Sequence, residues 1–530
     1  MMESSLPPFE EANSTLGNKE KAGQLFMPAA FINDTEAQIR QLEALIRDHH
    51  VGGLCFFHSR ASAATNFEGK KEVVRNESSL HTLKKLITRY QKTSKYPLLM
   101  AIDAEWGLAM RIENTPRYPY AITLGALQGQ EQLIREVGQR IAQDCKWAGL
   151  HWNLSPVVDI NTDANNPVIG YRAFGDDREA VAQKARAYVE GMQLEGVPCS
   201  IKHFPGHGDT ATDSHLGLPV IKKAKTALVQ HELYPFKELI ANGVEAVMVG
   251  HLSVPALTQE PSVPSSINKD IIKGVLRKEM GFQGLVISDA LNMHAVSKHY
   301  PKPGELEWLA FDAGNDILCF AEHVVEGINT IVNRSGPKQL QASFERIWRL
   351  KERVFVNRNS ENGPVPIPGI KERVAQTDAL NRKIAKEVLT LLTGSEAAIA
   401  RFRENKVHTL DFRRKDGDTD AQIAAHLDQL LARAKNEEHL LLNLTPPRVK
   451  PNNDFGFTRA EIKGINALLQ QKQVVLYHFG NPYALRLFKI RGTVATVLAY
   501  QEFEPFRAVA HEHYLGAIPA KGKLPITLAL

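Results

Sequence analysis

PLLMAID at residues 97–103 is an apolar run that ends in a charged side chain, and this pattern decides the expected fold. A continuous apolar run is typical of a strand buried on both faces of a parallel sheet. Seven further runs of this kind occur in the first two-thirds of the chain: QLFMPAAF (24–31), VGGLCFF (51–57), LHWNLSPVVD (150–159), VPCSIKHF (197–204), EAVMVGHL (245–252), GLVISDA (284–290) and DILCF (316–320). Amphipathic helical patterns lie between them, as in EAQIRQLEALIRDH (36–49) and DIIKGVLRKEM (270–280). Eight alternating strand–helix units predict a (β/α)8 TIM-type barrel.

A stretch rich in Asn, Gly and Pro, NRNSENGPVPIPG (357–369), follows the eighth unit and predicts a linker. Beyond it a helical pattern near 371–389 precedes four strand-like runs: KVHTLDF (406–412), HLLLNL (439–444), QVVLYHFG (473–480) and TVATVLAY (493–500). This alternation is typical of a sheet with helices on both faces. The predicted organisation is therefore a catalytic barrel at 1–355, a linker at 356–370 and a smaller αβα sandwich domain at 371–530.

The composition of the 530 residues is that of a globular protein, with 43% hydrophobic and 23% charged residues. The net charge is only +5 and no block of Lys and Arg indicates a nucleic-acid partner. No apolar stretch reaches the ~18 residues of a membrane span. The N-terminus lacks the basic and apolar regions of a secretory signal, which predicts a cytoplasmic location for the chain as given, or a periplasmic or secreted one if a signal peptide was removed. The oligomeric state stays open.

Charged side chains stand at the ends of several predicted strands. Active sites of such barrels lie at the C-terminal ends of the strands, so these side chains are expected to share one pocket. The strand-end residues are Asp103, Asp159, Lys202, His203, His251 and Asp289. Glu105 and Arg111 follow the third strand, and Arg172 lies on the long loop after the fourth.

The segment KHFPGHGDTATDSH (202–215) has the highest density of chemically active side chains. Asp213 and His215 are two residues apart, and in a turning loop such a carboxylate can contact the imidazole, fix its tautomer and raise its basicity. The pair therefore predicts a proton donor and acceptor. An exposed histidine beside a local Asx turn is the structural alternative.

Two other interpretations of the same loop stay open. Its His and Asp side chains include ligand types that bind zinc, although their spacing matches no standard zinc signature; they are His203, His207, Asp209, Asp213 and His215. A phosphate-binding loop at Gly206 and Gly208 would lack the usual strand–loop–helix context.

Taken together, KHFPGHG followed by DSH resembles the signature of family 3 glycoside hydrolases, in the bacterial β-N-acetylglucosaminidase (β-hexosaminidase) branch. Further stretches agree, in the family's order: DAEWGLAMR (103–111), NLSPVVDI (153–160), YRAFG (171–175), LRKEMGFQGLVISDALNM (276–293) and AGNDIL (313–318). GNPYAL (480–485) and GKLPITL (522–528) more loosely resemble the αβα domain that accompanies some members.

The resemblance implies specific roles. Asp289 corresponds to the catalytic nucleophile, and His215, paired with Asp213, to the general acid/base, where most retaining glycosidases use a second carboxylic acid. The positions implied to hold the terminal sugar are Asp103, Arg111, Arg172, Lys202 and His203. One departure is that the family's DQEGGR is DAEWGL here, so Trp106 and Leu108 replace a glycine and an arginine. Trp106 either stacks on a sugar or packs beneath the loop.

The activity that this resemblance implies is that of a retaining exo-β-N-acetylglucosaminidase acting on carbohydrates with terminal GlcNAc, without metal or organic cofactor. Peptidoglycan recycling is an implied biological role. In one alternative, phosphate replaces water as the acceptor and the enzyme is a β-N-acetylglucosaminide or β-glucoside phosphorylase. Further alternatives are a metal-dependent barrel hydrolase that uses the 203–215 cluster and a catalytically inactive sugar-binding protein.

Overall fold

The structure is a computed structural model that describes residues 6–60, 75–210, 217–356, 369–414 and 417–528. The chain divides into two compact units. The first contains residues 1–117, 135–160 and 185–374, and the second contains residues 118–134, 161–184 and 375–530. Among the described helices, none is long and apolar enough to cross a membrane.

Among the described residues of the first unit, nine short strands lie within the eight apolar runs, which confirms the predicted strands. They are β1 (Phe26–Met27), β2 (Ala29–Phe31), β3 (Gly53–Phe57), β4 (Leu99–Ile102), β5 (Trp152–Asn153), β6 (Ser200–Phe204), β7 (Ala246–Val249), β8 (Leu285–Ser288) and β9 (Leu318–Cys319). All but the ends of β2 and β3 are buried, as expected for strands covered on both faces.

These strands pair in parallel in a closed ring. Ladders join β2, β3, β4 and β5 and then β6, β7 and β8. Single bridges, Asn153 with Cys199 and Ile287 with Ile317, connect β5 to β6 and β8 to β9. The ring closes where Phe26 of β1 pairs with Leu318 of β9. The predicted α/β barrel class is thereby confirmed.

Helices alternate with the strands along the chain. Up to the second sheet they are Phe9–Thr15, Asn18–Gly23, Glu36–His49, Ser79–Thr93, Ala121–Gly125, Glu131–Ala148, Arg178–Leu194, Lys225–Gln230, Tyr234–Ala241, Glu305–Ala313, Val324–Arg334, Pro337–Phe355 and Ile370–Val388. Asp270–Glu279 is a π-type helix. The helix predicted at 36–49 begins after a capping box in which Thr35 and Gln38 satisfy each other's backbone N–H groups.

The second unit contains a five-stranded sheet in the order β10-β14-β13-β12-β11. Its strands are β10 (Thr390–Thr393), β11 (Val407–Phe412), β12 (His439–Leu444), β13 (Gln473–His478) and β14 (Ala495–Leu498). The last four strands were predicted and are mutually parallel, whereas β10 is an antiparallel edge strand. The helices are Glu396–Phe402, Asp420–Ala434, Asn452–Phe455, Arg459–Gln471 and Glu504–Tyr514.

A fully buried lysine makes the stability of the first unit depend on pH. Lys351 donates to Gln24 Oε1 over 2.6 Å, and burial lowers its pKa to about 7 from 10.5. Between these two values the unfolded chain holds a proton that the folded chain lacks, so the free energy of unfolding rises with pH, by at most about 1.4 kcal/mol per pH unit.

We expect Lys351→Met to remove this dependence. The free energy of unfolding of the wild type minus that of this variant should rise steadily from pH 7.5 to pH 10, as measured by urea denaturation. Lys338→Met, at an exposed position of the same helix, is the control and should show a constant difference. If the difference between the wild type and Lys351→Met did not change with pH, the Lys351 side chain of the wild type would have the same pKa in the folded and the unfolded chain.

Candidate active site

Five segments at the C-terminal ends of the barrel strands carry the predicted site residues of the first unit. Asp103 follows β4 directly, and Asp289 follows β8 directly. Lys202 and His203 lie within the last residues of β6, and His251 lies two residues beyond β7. The bridge between Val157 and Lys202 aligns the segment after β5 with the end of β6. The structure therefore brings the strand-end residues to one edge of the barrel, as predicted.

Lys202, which is buried, and Asp103, which is partly buried, are the centre of an ion-pair network. Lys202 Nζ donates to Asp103 Oδ1 over 2.7 Å and is 2.9 Å from Glu105 Oε1. Arg111 Nη2 donates to Asp103 Oδ2 over 3.1 Å, and its guanidinium lies 3.7 Å from the centre of the Phe57 ring. Burial opposes ionisation of Asp103, but the Lys202 and Arg111 charges hold its pKa below its ordinary value. Fixed donors and acceptors of this kind suit the hydroxyl groups of a sugar.

Asp159 is a positioning residue that the sequence identified only by its place at a strand end. Its Oδ2 lies 2.7 Å from His203 Nδ1, and its carboxylate accepts the backbone N–H groups of His203 and His207. Burial acts to raise the pKa of Asp159, but interactions with His203 and His207 together outweigh burial and lower it. An ionised carboxylate at this distance accepts the Nδ1–H of His203, which fixes the tautomer and the orientation of the ring.

Asp289 is held at the end of β8 as an ionised carboxylate. Its backbone N–H donates to Val249 O over 2.9 Å, and its Oδ1 accepts the N–H of Ala290 over 2.8 Å. Burial acts to raise the pKa of Asp289. The charges of His251, His203 and Lys202 and the hydrogen bond from the Ala290 N–H together outweigh burial, and the pKa falls to about 2. At neutral pH the side chain is therefore charged, as a carboxylate nucleophile requires.

His207 is buried and held neutral. Its Nδ1 lies 2.9 Å from Thr210 Oγ1, and its ring lies 5.9 Å from that of His203. Burial, followed by the charge of His203, lowers the pKa of His207 to about 4. A histidine with this pKa is neutral at pH 7 and lacks the acidic imidazolium proton, which makes it a poor general acid.

The backbone around Gly206 explains why a glycine follows Pro205. Gly206 has a φ of +125°, and a Cβ at this position would lie 2.9 Å from Glu232 Cβ. Glu232 is ion-paired with Lys223, which also binds Asp209 Oδ2 over 3.0 Å.

Asp213 and His215, the predicted acid/base pair, lie in 211–216, outside the described residues.

Arg172 belongs to the second unit, in the turn Gly170–Arg172. Its Nη1 donates to Val168 O over 3.1 Å. Asn161 holds this segment together, since its Oδ1 accepts the N–H of Gly170 and its Nδ2 donates to the Tyr483 hydroxyl over 2.8 Å. Both Asn161 and Tyr483 are buried. The position of Arg172 is thus fixed by a buried hydrogen-bond network.

Two further points concern the metal-binding interpretation and the DAEWGL stretch, which departs from the family motif. Among the residues that the structure describes, no group of three or more His, Cys, Asp or Glu side chains is arranged to hold a metal ion. Leu108 is fully buried, so the position that carries an arginine in the family motif is part of the core here. Cys55, Cys145, Cys199 and Cys319 are all buried free thiols.

The fold and the site define an α/β-barrel enzyme with an ionised carboxylate beside ion-paired donors. The model of the glycosyl hydrolase family 3 N-terminal domain matches residues 18–350. The chain therefore belongs to glycoside hydrolase family 3.

Two curated relatives carry related names. Beta-hexosaminidase A of Pseudoalteromonas piscicida is 29% identical over 342 residues, which are 59% of this chain. The chain spans 55% of the length of that relative. Beta-N-acetylglucosaminidase/beta-glucosidase of Cellulomonas fimi is 28% identical over 417 residues, which are 76% of this chain and 69% of the relative.

A solved structure has the same fold over almost all of both chains. It is a glycoside hydrolase family 3 beta-N-acetylglucosaminidase from Paenibacillus sp. str. FPU-7, with a TM-score of 0.75 and 24% sequence identity. The superposition covers 97% of this chain and 99% of that one. At this identity the likeness establishes the fold.

Proposed function

We propose that the chain is a retaining, exo-acting β-N-acetylglucosaminidase. The observation that carries the proposal is the position of Asp289, whose carboxylate directly follows β8 at the same edge of the barrel as Asp103 and Lys202. In the first step an oxygen of the Asp289 carboxylate attacks the anomeric carbon. The bond from that carbon to the glycosidic oxygen breaks as the glycosidic oxygen, on the leaving group, receives a proton. A glycosyl ester on Asp289 results, and water attacks it in the second step.

The donor and acceptor of that proton are assigned by sequence resemblance to His215, with Asp213 as its partner. Protonated His215 gives its proton to the leaving oxygen, and neutral His215 then removes a proton from the attacking water. One group serves both steps because His215 is neutral after it has donated its proton, and the neutral form is the one that the second step requires. His207 is unsuited to the first step, since its pKa is about 4.

The choice of a 2-acetamido sugar rests on the names of the relatives and on the donors around Asp103. Both relatives bear hexosaminidase or N-acetylglucosaminidase names, and one is also named a beta-glucosidase. The Lys202–Asp103–Arg111 network offers charged donors and acceptors to a terminal sugar. Exo action follows from the proposal that these groups bind the non-reducing end.

A panel of aryl β-glycosides tests the proposal. The N-acetylglucosaminide should be turned over with a kcat/KM well above that of the glucoside and the xyloside, and the sugar should be released with retained configuration. The same assay with added phosphate separates hydrolysis from phosphorolysis, because the phosphorylase alternative yields a sugar 1-phosphate. Inversion of configuration, or no turnover of any glycoside, would refute the proposal.

Removal of Lys202 should weaken catalysis for every substrate. Charge-assisted hydrogen bonds contribute about 1.5–3 kcal/mol each, so Lys202→Met is expected to lower kcat/KM about 10- to 150-fold, with activated and poor leaving groups affected alike. Lys351→Met, which removes another buried lysine of the same unit, is the matched control and should retain kcat/KM. An unchanged kcat/KM for a folded Lys202→Met enzyme would assign Lys202 a purely structural role.

A further inference from the structure

His251 is a fully buried strand-end residue that takes no part in the bond and proton transfers of the proposed mechanism, although its charge helps to keep Asp289 ionised. It follows β7, the strand that neighbours β8 in the barrel. Its Nε2 lies 2.9 Å from the carbonyl oxygen of Ala290, the residue next to Asp289. A carbonyl oxygen only accepts, so Nε2 carries a proton and donates it.

The peptide group after Ala290 is held at both ends. His251 binds its carbonyl oxygen, and the N–H of Leu291 donates to Cys319 O of β9 over 2.9 Å. On the other side, the N–H of Ala290 binds the Asp289 carboxylate itself. That N–H belongs to the preceding peptide group, and the two groups are joined through the Cα of Ala290. Release of the Ala290 carbonyl oxygen would therefore free Ala290 to shift, together with the N–H that orients Oδ1 of Asp289.

The imidazole of His251 is itself fixed. Its Nδ1 lies 2.7 Å from Ser266 Oγ, and the Ser266 carbonyl accepts a hydrogen bond from Asn315 Nδ2 over 2.7 Å. Ser266 and Asn315 are both fully buried. Because a serine hydroxyl both donates and accepts, this contact persists whether Nδ1 is protonated or not. The ring therefore keeps its place in either charge state.

We infer that His251 is a positioning residue for the nucleophile: its hydrogen bond to the Ala290 carbonyl fixes the turn that aims the Asp289 carboxylate at the anomeric carbon. This inference rests on the proposed function, in which Asp289 attacks the sugar. His251 acts through the backbone, so its loss should slow formation of the glycosyl ester. Binding of a sugar that does not react should be unaffected.

Two variants and two measurements test the inference in the full chain. The rate constant for ester formation is measured with a fluorinated N-acetylglucosaminyl fluoride that traps the intermediate, and ground-state binding is measured as the Ki of N-acetylglucosamine. Loss of one such hydrogen bond predicts that His251→Ala lowers the trapping rate constant about tenfold or more, while Ki changes less than about twofold. His251→Gln retains a donor and should recover most of the rate.

His151→Ala is the matched control. His151 directly precedes β5 and is another buried histidine of the barrel, and its Nδ1 accepts the backbone N–H of Met100. It should leave the trapping rate unchanged. The inference is overturned if folded His251→Ala traps at the wild-type rate, if trapping and Ki worsen by the same factor, or if His251→Gln is as slow as the alanine variant. Failure of wild-type enzyme to form any ester would instead overturn the proposed function.

Discussion

Asp289→Asn is expected to lower kcat by about four to six orders of magnitude, because an amide cannot form the glycosyl ester and losses of central catalytic groups are of this size. The fold should survive, since asparagine is isosteric and its Oδ1 can still accept the Ala290 N–H. Kinetics on an activated aryl N-acetylglucosaminide at pH 7, together with the melting temperature, measure both effects.

Direct labelling provides the independent check on Asp289. A fluorinated glycosyl fluoride should add one sugar to the wild-type chain and none to the Asp289→Asn variant, and peptide mass spectrometry should place the label on Asp289. Asp312→Asn is the matched control, because that carboxylate pairs with Lys269 on an outer helix and should be dispensable. A label on another carboxylate would transfer the nucleophilic role to that residue.

The barrel was largely predictable from sequence because its signal is local. Each buried parallel strand is a continuous apolar run, and the charged residue that ends it marks the catalytic edge, as at Asp103 and Asp289. The edge strand β10 was missed because Thr390–Thr393 begins directly after the helix Ile370–Val388 and reads as its apolar continuation. Its antiparallel pairing with β14 depends on residues about 100 positions away.

The partnerships within the site were beyond sequence reasoning. Asp159 binds His203 because the bridge from Val157 to Lys202 sets the register between two segments 45 residues apart. The pKa of about 2 for Asp289 and of about 4 for His207 likewise result from burial and neighbouring charges that only the fold brings together. The residue types in the sequence predicted which side chains could act as acids, bases and nucleophiles. The register between strands determined which of these side chains contact each other.

His215→Ala should affect substrates according to their leaving groups. Poor leaving groups need a proton in order to depart, so kcat/KM for alkyl N-acetylglucosaminides is expected to fall about 10²- to 10⁴-fold. Activated aryl glycosides should keep a fast first step and then stall at the ester, which gives a burst of released phenol. Azide should restore turnover of the activated substrate, because it attacks the ester without a general base.

Asp213→Ala should reproduce this pattern in a milder form, because the imidazole remains but loses the carboxylate that orients it. His231→Ala is the control for loss of a histidine, since His231 contacts Glu232 in the turn between the helices Lys225–Gln230 and Tyr234–Ala241 and should be dispensable. Equal losses on good and poor leaving groups, without azide rescue, would assign the acid/base role to another group. The nearest candidates are then the other groups at this edge of the barrel, Glu105 and His207.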